Sequence, residues 1–184
     1  GMDKTFEALL SADDARILKA LAEVDQRGDA RSIKPLLQAL ARTNEQQVQQ
    51  RITEMLYQVK VSGAVEELMK ALKDPALRPV RRTILSTFWN AGLDVRDQVE
   101  ELVNVAVEGD AEECFECLTV LENNEFLNDK GVLAGIKRLN AAIASNTDEY
   151  KGALLGSVSS KLMATAPCPV IVLPRGAGTH PLEG

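Results

Sequence analysis

Gly28-Asp29-Ala30-Arg31-Ser32-Ile33-Lys34-Pro35-Leu36-Leu37-Gln38-Ala39-Leu40 is the stretch on which the reading of the chain turns. Gly28 marks a helix end, because glycine is the residue favoured just past a last helical turn. The Asp-Ala-Arg-Ser segment after it starts a second helix. Ile33, Leu36, Leu37 and Leu40 then recur at helical spacing and form one apolar stripe. The unit is helix, turn, helix, and variants of it return along the chain.

The return has a period. Leu36, Leu68, Leu102 and Ile136 take matching places in the second helix of successive pairs, 32, 34 and 34 residues apart. A helix–turn–helix unit at a fixed period predicts an all-α solenoid, in which neighbouring pairs stack to bury the apolar face that each leaves bare. A short helix from Thr5 to Leu10 opens the chain. Ser11, with Asp14 three residues on, reads as the cap of the next helix, whose stripe is Ala15, Leu18, Leu21 and Ala22. Asn44 with Gln47 opens a helix carrying Val48, Ile52, Met55, Leu56 and Val59, and Val65, Leu68, Met69 and Leu72 mark its partner. Asp74-Pro75 interrupts the chain. Val80, Ile84, Leu85, Phe88 and Trp89, ending at Gly92, pair with Val99, Leu102, Val103 and Ala106. After Gly109-Asp110 the fourth pair carries Ala111, Cys114, Phe115, Leu118 and Leu121, then Val132, Leu133, Ile136, Leu139 and Ile143. Asn146-Thr147-Asp148 starts a last helix to about Ala164. Pro167, Pro169, Pro174 and Pro181 forbid a continuous helix beyond it. The expected organisation is a solenoid over residues 1–165 and an extended tail over 166–184.

The Gly28–Leu40 stretch, and more loosely Gly63-Ala64-Val65-Glu66-Glu67-Leu68-Met69-Lys70-Ala71-Leu72, resembles HEAT-like repeats in the short form also found in bilin-lyase-type proteins. The resemblance spans roughly residues 12–145. It implies a right-handed solenoid whose second helices line a concave binding face. Tetratricopeptide repeats share the period, but their Trp-Leu-Gly-Tyr pattern is missing. On that concave face the matching positions are Arg31, Lys34 and Gln38, then Glu66, Glu67 and Lys70, then Glu100, Glu101 and Asn104. They grade from basic to acidic, a pattern that steers and orients a charged partner.

The run from Gly152 to Pro174 is different. Its Gly156-Ser157-Val158-Ser159 and Ala166-Pro167-Cys168-Pro169-Val170-Ile171-Val172 segments resemble the last helix and last strand of universal stress proteins. That resemblance implies strand-mediated dimerisation, here through Val170–Leu173, and in some members nucleotide binding. Gly156-Ser157 matches the end of the family's Gly-x2-Gly-x9-Gly-Ser/Thr pattern, but Ile143 and Asn146 stand where its earlier glycines belong. Side chains there obstruct the close approach of a phosphate to backbone N–H groups.

Composition narrows the class of function. Of 184 residues, 45% are hydrophobic, 26% charged and only 4% aromatic, which suits close-packed helices. No apolar run approaches the ~18 residues that cross a bilayer. Three cysteines make no disulfide framework, and with no secretory signal the expected location is the cytoplasm. Gly1 ahead of Met2 reads as a remnant of tag cleavage. Residues 94–129 carry 12 acidic side chains and one basic, which argues against nucleic acid as a partner there.

Catalytic and metal chemistry find little support. Cys114 and Cys117 lie on one helix face, but His180 is the single histidine and no second cysteine pair completes a zinc set. Cys168, between two prolines, has no histidine base near it in sequence. Phe88 and Trp89 below Arg81 and Arg82 read as core rather than as the base-stacking surface of a HEAT-fold glycosylase. Adjacent Glu100-Glu101 and Glu112-Glu113 read as solvated faces, whereas a catalytic carboxyl needs burial. The expectation is a non-enzymatic scaffold for a protein or peptide, with no cofactor and no metal. A stress-protein-related module and a HEAT-fold lyase or glycosylase are the alternatives.

Overall fold

The helix starts follow from short acidic and amide side chains placed ahead of apolar runs. In a computed structural model that describes residues 1–166, the Asp29 carboxylate accepts the Arg31 N–H at 2.9 Å, and Ser32 Oγ accepts the Asp29 N–H at 3.3 Å. This capping box opens a 3-10 turn over Ala30–Ser32 that runs directly into a helix. Asp110 and Glu113 make the same reciprocal pair, at 2.8 and 2.9 Å. Asp13, Asn128 and Asp148 cap three further helices.

Ten α-helices result among the described residues. They are α1 (Asp3–Leu9), α2 (Asp14–Arg27), α3 (Ile33–Arg42), α4 (Gln46–Tyr57), α5 (Ala64–Leu72), α6 (Arg81–Asn90), α7 (Val99–Glu108), α8 (Ala111–Glu122), α9 (Asp129–Ser145) and α10 (Glu149–Ala164). A second 3-10 turn, Pro75–Val80, follows the Asp74-Pro75 break, packs on α3 and leads into α6. The described residues are all-helical. Among them, no helix is long and apolar enough to cross a membrane. The expectations for Cys168, His180 and the Val170–Leu173 strand lie outside the described residues.

Alternate helices pack on one another. The even-numbered helices form an unbroken series, α2 on α4, α4 on α6, α6 on α8 and α8 on α10. The odd-numbered ones follow with α1 on α3, α3 on α5 and α7 on α9, while α5 and α7 approach each other less closely. An ion pair from Lys73, just past α5, to Glu101 on α7 spans that wider junction. Each odd helix also packs on the even helix that follows it. One contiguous hydrophobic cluster runs from Leu9 to Leu162. The four residues that define the period are buried in it: Leu36, Leu68, Leu102 and Ile136 are 5%, 0%, 0% and 8% exposed. Burying each stabilises the fold by roughly 1.5–3 kcal/mol.

Several local expectations are corrected. The stripe of α2 is Ile17, Ala20, Leu21 and Val24, and Ala15 and Ala22 face outward. The larger Ile17 and Val24 decide which face turns inward, since alanine has little apolar area to bury. Ser11 does not cap α2; it accepts the Asp13 N–H, and Asp13 is the cap. Asn44 does not cap α4, which begins after Glu45 without a side-chain cap. Phe115 is 50% exposed, because Cys114, Cys117, Leu118 and Leu121 take the inward positions of α8. Leu133 and Ile143 are 49% and 36% exposed, for α9 has α7 and α10 as neighbours and no later described helix beyond.

Candidate functional site

The residues singled out for binding sit on the odd-numbered helices and the turn that enters them. Lys34 and Gln38 lie on α3, Glu66, Glu67 and Lys70 on α5, and Glu100, Glu101 and Asn104 on α7. Arg31 stands in the 3-10 turn before α3. The repeat period decides their register. Lys34, Glu66 and Glu100 each precede a buried leucine of the period by two residues, and all three are exposed.

Ion pairs engage four of the seven charged side chains in the expected pattern. Arg31 is held by Asp29 at 2.8 Å, and the guanidinium hydrogen-bonded to that carboxyl keeps it below its ordinary acidity range. Lys70 pairs with Glu67 at 3.1 Å one turn away. Glu101 pairs with Lys73. Exposed pairs of this kind add little stability, and they lower the field that a partner meets. Lys34, Glu66 and Glu100 have no ion-pair partner among the described residues. What remains is one positive and two negative side chains on one register line, flanked by half-buried Gln38 and Asn104.

The register continues further than the basic-to-acidic gradient implied. Arg138 on α9 stands 34 residues after Asn104, so a basic side chain takes the next place in the register, where it pairs with Glu108 at 3.8 Å. The 34-residue spacing that relates Glu66 to Glu100 would have found it.

A polar seam between α6 and α8 is the feature that local sequence patterns missed. Arg81 Nε lies 3.3 Å from Glu113 Oε2, and Arg82 reaches Glu112 at 3.2 Å. Glu116 Oε1 accepts Trp89 Nε1–H at 2.9 Å and the Ser86 hydroxyl at 3.1 Å. Glu113 is buried, contrary to its reading as a solvated residue, because it closes the capping box of α8 while facing Arg81. Phe88 is fully buried and Trp89 half-buried.

The cysteines are packing residues. Cys114 and Cys117 are free and buried on α8. Burial pushes the Cys114 thiol up to about 11, although the Lys151 ammonium pulls the other way, and burial holds Cys117 well above its ordinary 9.0. Thiols so protonated are poor nucleophiles and poor metal ligands at neutral pH. Among the described residues no three His, Cys, Asp or Glu side chains gather in a way that could hold a metal ion. Gly156 and Ser157 lie inside α10, where the helix takes up their backbone N–H groups, and Ser157 Oγ donates to the Ala153 carbonyl at 3.2 Å. No loop is present there to cradle a phosphate.

Compared with known proteins, the chain matches no family model, and no curated protein is significantly similar to it.

Proposed function

We propose that the chain is a right-handed HEAT-like solenoid that acts as a non-enzymatic scaffold and holds a protein or peptide along its odd-numbered helices. The observation that carries this reading is the line of Lys34, Glu66 and Glu100, exposed, free of ion pairs among the described residues, and spaced by the repeat period. The unbroken packing of each even-numbered helix on the next supports the solenoid, an architecture built to present an extended surface. Unpaired charges on such a surface give orientation and association rate more than raw affinity.

The test is a comparison of bound partners. Wild type and a Lys34→Glu, Glu66→Lys, Glu100→Lys variant are immobilised and exposed to extract from the same source. All three side chains are exposed, so the variant keeps its fold. A partner retained by wild type and lost by the variant supports the face as the binding surface. An unchanged partner set removes it.

A further inference from the structure

Ile33, Val65, Val99 and Leu133 form a second series at the repeat period, each three residues ahead of a buried member of the first. Ile33 and Val99 are 1% exposed and Val65 is half-buried on the core, whereas Leu133 is 49% exposed. The next helix makes the difference. Val99 on α7 is covered by α9: a Cβ at Gly131 would stand 3.2 Å from Val99 Cβ, and one at Gly135 3.7 Å from Val99 Cγ1. Leu133 holds the same place on α9, and no later odd-numbered helix exists among the described residues to cover it.

The two ends of the array differ. At the first, α1 turns Asp3, Lys4 and Glu7 to water. At the last, α9 exposes Leu133 and Ile143, and α10 carries no charged residue between Lys151 and Lys161. Lys130 and Lys137 flank Leu133 about one turn to either side. Their stems lie readily along an apolar chain while the ammonium groups stay in water. A repeat array needs a terminal unit that closes its apolar edge.

The chain supplies a segment for that edge. Ala166 is half-buried on the core at the end of α10. A Cβ at Gly135 would stand 2.9 Å from Leu162 Cδ1, so the turn of α9 next to Leu133 lies beside the end of α10 where the chain goes on. From Ala164 to Pro174 the sequence holds no charge, and Val170-Ile171-Val172-Leu173 is an apolar run between Pro169 and Pro174. The run begins four residues past Ala166 and ends seven past it, a reach of at most about 13–25 Å. The rise along α9 from Leu133 to Ile143 is about 15 Å.

We propose that Val170-Ile171-Val172-Leu173 turns back from the end of α10 and covers Leu133 on the outer face of α9, closing the array. So short a tether holds the run near the face at an effective concentration of the order of millimolar, which a second copy at working concentration does not match. The inference rests on helix packing and stands apart from the line of Lys34, Glu66 and Glu100.

Thiol labelling of the full chain is the test. The background is Cys168→Ser, where the remaining Cys114 and Cys117 are buried. Leu133→Cys and Phe115→Cys then place single probes at positions equally open in the described helices, 49% and 50% exposed. With N-ethylmaleimide, an uncharged reagent, Leu133→Cys is expected to react more slowly than Phe115→Cys by about tenfold or more, the ratio for a cover worth about 1.4 kcal/mol. When Val170→Ser, Ile171→Ser, Val172→Ser and Leu173→Ser are added together, the two rates should become equal. The core from Leu9 to Leu162 is untouched by those changes, so the helices stay folded. Equal rates with the native tail overturn the proposal, and so does a slow Leu133→Cys that the serine tail leaves slow. Light scattering identifies the other occupant: a native chain with the mass of two copies, brought to one by the serine tail, assigns the run to a second copy and overturns the proposal as well.

Discussion

Arg81 Nε lies 3.3 Å from Glu113 Oε2 with the two side chains only 12% and 7% exposed, so the ion pair that joins α6 to α8 is nearly sealed from water. Arg81 Nε is buried without an aligned hydrogen-bond partner, and the charge contact is what compensates it. A buried pair of this kind adds little net stability, but breaking it leaves a bare charge in a low-dielectric interior.

Glu113→Gln is expected to destabilise the chain by about 3–5 kcal/mol, measured by urea unfolding. The amide keeps an acceptor for the Asp110 N–H, so the capping box survives while the guanidinium loses its counter-charge. Glu113→Ala also removes the cap and costs about 1 kcal/mol more. Arg81→Met combined with Glu113→Leu removes both charges and recovers most of the loss. Equal stability of wild type and Glu113→Gln would show that the pair is solvated.

Gly28→Ala and Gly109→Ala are expected to be more damaging than their places in turns suggest. Neither glycine has a positive φ, so conformational freedom is not the reason. A Cβ at Gly28 would stand 2.6 Å from the Val24 carbonyl oxygen and 2.8 Å from Ser32 Oγ. At Gly109 it would stand 2.8 Å from the Val105 carbonyl oxygen and 2.5 Å from Glu113 Oε1. Each collision involves a helix carbonyl and the side chain that closes the capping box, so relief on one side breaks a bond on the other. Losses of about 1–3 kcal/mol per substitution are expected from thermal unfolding. By contrast, Gly156→Ala meets nothing within 4 Å and should stabilise α10 by about 1 kcal/mol.

These two turns also show what sequence alone carries. Gly28-Asp29 and Gly109-Asp110 are legible as helix boundaries because local residue chemistry decides them, whereas the reciprocal caps expected at Ser11–Asp14 and Asn44–Gln47 do not form. The helices themselves are legible for the same reason, and the period gave the buried register of Leu36, Leu68, Leu102 and Ile136. The Arg81–Glu113 pair was not, because a charged residue on a helix points to water unless another helix supplies its partner. That partner lies 32 residues away, close to one period, so the distance hinted at a match that no local pattern could reveal. The candidate binding face was half legible: the period placed its residues, but Asp29, Lys70 and Lys73 neutralise Arg31, Glu67 and Glu101 through contacts that depend on rotamers.

Lys151→Met tests a helix end held from a distance. Lys151 Nζ on α10 donates to the carbonyls of Val107 and Gly109, where α7 ends. Methionine keeps the apolar stem and removes the donor, so two carbonyls lose their partner. The expected cost is about 1–3 kcal/mol, seen as a lower midpoint in urea. Amide exchange should rise in the α7–α8 turn before it rises elsewhere, since that is where the lost bonds were. Uniform protection across the chain would rule out this role for Lys151.

The cysteines make stability fall at alkaline pH. In the unfolded chain each thiol titrates near 9.0, whereas burial holds the folded Cys114 thiol up to about 11 and Cys117 well above 9.0. Below pH 9 both states keep the proton, and the thiols add no pH dependence. Between 9 and about 11 the unfolded state has released protons that the folded state retains, so rising pH draws the equilibrium toward unfolding. Urea midpoints should therefore drop between pH 8.5 and pH 10.5 in a Cys168→Ser background, which leaves only the two α8 thiols. The same background should resist a thiol-specific disulfide reagent at pH 8 while folded and react at both positions in urea. Cys114→Ala with Cys117→Ala should begin less stable, through lost packing, but show a shallower alkaline decline. An equal decline with and without the two thiols would assign the effect to lysine and tyrosine titration instead.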